Sequence, residues 1–109
     1  MPNKSLSSVP LDALTTVELV AGRFNAYRQQ RVAEVRTEQA RAEYEAMQAG
    51  VTAGMLSPCE SARAACRWET WAHVAWVFAD VALTLQTEID AREASEAAVV
   101  EAERILAGA

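Results

Sequence analysis

Residues 57–85 read SPCESARAACRWETWAHVAWVFADVALTL, and the fold class follows from them. The stretch opens with Ser57, Pro58 and Glu60, which are the residue types favoured at the N-cap, the first and the third position of a helix. After Pro58 neither Gly nor Pro recurs until Gly108, and the intervening residues are mostly strong helix formers. Within 71–85 only His73, Asp80 and Thr84 interrupt an apolar surface that wraps most of the helix. Such a helix needs cover on several sides. Its fifteen residues fall short of a bilayer span, with Arg67 and Glu69 before them and Glu88 after, since crossing takes about 20 apolar residues.

Two packing seams separate by spacing. Trp71, Val74, Phe78, Val81 and Leu85 form a stripe of large side chains, and Ala72, Ala75, Ala79 and Ala82 form an adjacent stripe of small ones, on which another helix backbone can approach closely. Trp76 falls on neither stripe, nor does Leu83 seven residues later.

Outward from this segment the pattern stays helical. Thr15 with Glu18 has the capping-box spacing, and Val17, Val20, Phe24 and Tyr27 recur at intervals of three and four. The spacing predicts a first helix over 11–49, stopped by Gly50, a connection through Gly54, and a second helix from Pro58. A single helix of some 50 residues is far beyond the globular average. Asp90 with Glu93, and Ser95 with Glu96, are polar enough to form a new cap. The second helix is therefore expected over 58–88 and a terminal helix over 95–107, with a kink or break between Glu88 and Ser95. Residues 1–10, MPNKSLSSVP, read as a loose N-terminal arm. The whole is an all-α chain: a long antiparallel helical hairpin with an N-terminal arm and a C-terminal helical extension.

Folding the hairpin near residue 54 places residues 23–41 opposite 66–84. That partner contains Arg23, Arg28, Arg31, Arg36 and Arg41, too polar to cover three apolar surfaces. Area that the chain leaves uncovered calls for another molecule, and self-association is the simplest source of cover for a small chain. Trp71, Ala72, Ala75, Trp76, Phe78, Ala79, Val81, Ala82 and Leu85 are the expected oligomer or partner interface.

The 109 residues are 51% hydrophobic and 23% charged with a net charge of −5, which fits one globular domain and excludes a purely solvating acidic chain. Alanine is abundant, and Lys4 is the single lysine against nine arginines, a bias expected of a GC-rich bacterial or phage genome. Cys59 and Cys66, seven residues apart, would stand about 10 Å apart along one helix, too far for a disulfide. They read as reduced thiols of a cytoplasmic protein, and the N-terminus shows no apolar signal segment.

Charge is distributed unevenly. Arg28, Arg31, Arg36 and Arg41 make one part of the first helix basic, whereas Glu93, Glu96 and Glu101 belong to an acidic end. Both are candidate partner surfaces. The acidic overall balance, with a pI near 4.8, argues against direct nucleic-acid binding, which favours basic domains.

Chemistry finds little support. Cys66, Glu69 and His73 share one side of a helix but form an incomplete ligand set; an i,i+4 contact between Glu69 and His73 is the simpler expectation. Cys59 lies fourteen residues from the sole histidine, so no thiol–imidazole pair forms within the chain. Asp80, inside the apolar run, is expected to reach Arg23 or Arg28. With no phosphate loop or catalytic triad spacing, no enzyme activity, cofactor or metal is expected. The sequence points to a homo-oligomeric module that binds proteins. The alternative is a bacterial or phage inhibitor that blocks a larger, nucleic-acid-binding complex through its charged helices.

Overall fold

A computed structural model describes residues 10–108; most of the expected N-terminal arm, 1–9, lies outside them. A short 3-10 turn, Leu11–Ala13, precedes α1 (Thr16–Thr52) and α2 (Pro58–Gly108). Among the described residues the fold is all-α, and the two long helices pack against each other as a hairpin. The chain divides into two compact units, one of residues 25–81 and the other of residues 10–24 with 82–108.

In the unit of residues 25–81, α1 runs past Gly50, where the sequence pattern places its end. The reason is packing: a β carbon at Gly50 would lie 2.5 Å from Leu56 Cδ1, so the glycine makes room for the returning chain while remaining helical. The stop comes at Gly54, whose φ of 75° lies in the left-handed region that glycine enters freely. The amide of Met55 donates to the Gly50 carbonyl at 2.9 Å and that of Gly54 to the Val51 carbonyl at 3.0 Å, the paired bonds of a Schellman C-cap. Pro58 then takes the first position of α2 as expected, and the Glu60 amide bonds the Ser57 carbonyl at 3.1 Å.

The seam of this unit is built on alanine. Ala26, Ala33 and Ala40 of α1 are buried at seven-residue intervals, as is Ala64 of α2. A seven-residue repeat keeps one line of a helix against its partner, and methyl side chains let the backbones come close. Larger groups close the flanks: the Tyr44 and Trp68 rings lie 5.5 Å apart, the Ser61 hydroxyl donates to Gln48 Oε1 at 2.8 Å, and Arg67 bonds Glu43. A polar α1 thus covers one seam of α2 with a line of methyl groups.

In the other unit, Thr15 and Glu18 form the expected capping box, with Thr15 N–H donating to Glu18 Oε1 at 2.9 Å and Glu18 N–H to Thr15 Oγ1 at 3.1 Å. These bonds hold the Glu18 carboxyl below the usual carboxylate range, the Thr15 amide contributing most. The box also sets the start of α1, which is Thr16 rather than Leu11, because Leu14 is extended (φ −89°, ψ 142°). Leu19, Ala82 and Ile89 are buried here.

No break separates 58–88 from 95–107: α2 is continuous through both. Side chains bridge the suspect stretch, Gln86 donating to Asp90 Oδ1 at 2.7 Å and Arg92 Nε to Glu88 Oε1 at 3.1 Å. Arg92 also pins the helix to the chain start, its guanidinium donating to the carbonyls of Leu11 and Leu14 at 3.0 and 2.8 Å and to Thr16 Oγ1 at 3.2 Å. Asp90, read as a cap residue, is instead a helix-surface partner of Gln86, and a cap needs a chain that leaves the helix.

Candidate interaction surface

The aromatic segment is covered on one side only. Trp71, Val74, Ala75, Phe78 and Ala79 are partly buried, whereas Ala72 is exposed and Trp76 keeps 64% of its surface in solvent. The ring of His73 stacks on that of Trp76, centroids 6.1 Å apart and planes 20° from parallel. This extends the indole into a wider aromatic shelf, and it replaces the expected contact of His73 with Glu69. Beside it, Ala72 and Ala75 line a shallow open groove with Glu34, Thr37 and Glu38 of α1. Part of the small-residue stripe is therefore free for an incoming side chain, while Ala82, in the other unit, is buried.

A second shallow groove lies on the outer side of α1, lined by Arg31, Val32, Val35, Arg36 and Gln39. Val32 and Val35 are each 48% exposed. The Arg36 guanidinium sits over the Trp71 ring at 5.0 Å, a cation–π contact that fixes the side chain with its charge near the surface. Arg31 approaches Glu34 at 3.7 Å but remains largely solvated, and Arg28 forms no ion pair among the described residues. Arg41 bonds Glu38 at 2.7 Å and Glu45 at 3.5 Å. These carboxylates, Glu38 foremost, raise the Arg41 pKa, so its charge is already matched within the helix. Of the four arginines proposed from sequence, Arg28, Arg31 and Arg36 remain available to a partner. Val32 and Val35 were not picked out by sequence reasoning, although their spacing of three beside Arg31 and Arg36 carries the signal.

In the unit of 10–24 and 82–108, Val17, Phe24 and Leu83 are exposed by 78, 64 and 65%. Every residue from Glu93 to Gly108 is exposed, Glu93, Glu96 and Glu101 among them. Arg104 clamps Glu101 through two bonds of 2.9 and 2.6 Å, which lowers the Glu101 pKa. Arg23 donates to Gln86 at 2.5 Å, and Asp80 is exposed, so Asp80 is not the buried charge that the apolar run implied.

Cys59 and Cys66 are free thiols, both exposed. Among the described residues no cluster of His, Cys, Asp and Glu is arranged to hold a metal ion, and no helix is long and apolar enough to cross a membrane. Comparison with protein-family models, with curated proteins and with solved structures finds no match to this chain.

Proposed function

We propose that this protein is a non-enzymatic protein–protein interaction module that acts as a homo-oligomer in the cytoplasm. The observation that carries the reading is Trp76, a large aromatic side chain left 64% exposed beside His73 and the alanine-lined groove. Exposed tryptophan next to a small-residue concavity is the usual make-up of a binding hot spot: the indole supplies apolar area and the groove accepts a knob from the other side. A second copy brings both halves of that contact at once, since a two-fold interface is self-complementary. The inhibitor reading draws on a different feature, the exposed acidic residues Glu93, Glu96 and Glu101, which would meet a basic surface of another complex.

Trp76→Glu separates the readings. Its position is exposed, so helix content by circular dichroism stays at the wild-type level while sedimentation equilibrium shows a species of lower mass. Unchanged mass in the variant, with wild-type above 11.8 kDa, would remove Trp76 from the interface.

A further inference from the structure

The seven-residue line by which α2 meets α1 does not stop where α1 begins. In one unit Ala64 is buried and Trp71 and Phe78 are half-buried; in the other Leu85 and Arg92 are half-buried; the same interval continues to Val99 and Leu106. Val99 is 54% exposed and Leu106 75%. 

A heptad position that stays apolar without a facing helix is an unfilled coiled-coil seam. Glu96 and Glu103 run beside it at the same interval, and residues 93–108 hold four glutamates against Arg104.

We propose that this acidic end of α2 docks, through Val99, Ala102 and Leu106, onto the Arg28–Gln39 face of α1 in a second copy of the chain. That face has the matching chemistry: Val32 and Val35 are exposed, Arg31 and Arg36 line a groove with them, and Arg28 is exposed one turn before Val32. An apolar line flanked by carboxylates thus meets an apolar line flanked by guanidiniums, the complementarity that orders helix pairs. Two acidic ends pairing with each other would instead set like charges side by side. The inference rests on the self-association reading for the identity of the partner, but it uses residues other than Trp76.

Charge reversal on each side tests it. One variant carries Glu96→Arg and Glu103→Arg, the other Arg28→Glu and Arg31→Glu; all four positions are exposed. At about 20 mM salt, where screening is weak, sedimentation equilibrium is expected to show each variant associating about tenfold more weakly than wild-type. Their equimolar mixture is expected to regain wild-type association, since each variant then offers the charge that the other lacks. Wild-type association by either variant alone, or a mixture no stronger than its components, overturns the proposal. So does a wild-type chain that stays at 11.8 kDa in low salt. Repeating the series on Trp76→Glu keeps the two readings apart: rescue in that background supports this contact whatever Trp76 does, and loss of mass from Trp76→Glu with no effect of the charge variants leaves only the Trp76 interface.

Discussion

The turn that joins the helices and the last four turns of α2 solve the same problem in opposite ways. Around Gly50–Pro58 the chain satisfies itself: Gly54 takes the left-handed conformation, two backbone bonds close the helix end, and Leu56 fills the space that Gly50 leaves. From Glu93 to Gly108 every side chain faces solvent, and the helix has only its own residues and i,i+3 pairs such as Arg104 with Glu101. Short-range pairs of this kind contribute only a few tenths of a kcal/mol each. One region is stable through local packing, whereas the other has helix propensity and an apolar line but nothing to pack on. A single helix therefore carries both a packed part and a part with nothing packed on it.

The sharpest way to break this contrast is at the buried side. Leu19 is fully buried, so Leu19→Ala is expected to cost about 3 kcal/mol by urea denaturation; a loss below about 1 kcal/mol would mean that the seam is looser than its burial implies. Next, Ala33→Leu forces a large side chain into the alanine line and is expected to cost about 2 kcal/mol, read as a lower denaturation midpoint. Gly54→Ala must place a β carbon at φ 75° and is expected to cost about 1 kcal/mol. At the exposed end, Val99→Ser with Leu106→Ser should change monomer stability by less than about 0.5 kcal/mol, measured in high salt at low protein concentration. A larger loss would show that residues 93–108 are packed after all.

Acid sensitivity adds a smaller effect. Bonding to Thr15 holds the Glu18 pKa below its unfolded value, so the capping box stabilises the fold above the ordinary carboxylate pKa and loses that contribution as pH falls through the lowered one. Thr15→Ala is expected to cost about 1 kcal/mol at neutral pH and to flatten this part of the acid limb.

Much of the fold was legible because its signals are local. Thr15 with Glu18, and Pro58 with Glu60, mark helix starts through bonds or φ preferences within one turn. The helix ends were less legible: Gly50 is an ordinary stop signal, and only the approach of Leu56 shows why it stays helical. The continuity of α2 past Glu88 was hidden for a similar reason, since Asp90 and Glu93 resemble cap residues until Arg92 is seen holding the carbonyls of Leu11 and Leu14. At the surface, the exposure of Trp76 could be anticipated from its place off both stripes. Its stacking with His73 and the free valines of α1 depend on which rotamers and neighbours the packing leaves, and spacing alone does not fix those.

Absolute molar mass by light scattering, over a concentration series at moderate salt, tests the central claim most directly. The account predicts a plateau at a whole multiple of 11.8 kDa that falls toward one chain on dilution. A mass of one chain at every concentration would contradict it and leave Trp76 exposed without a self-partner.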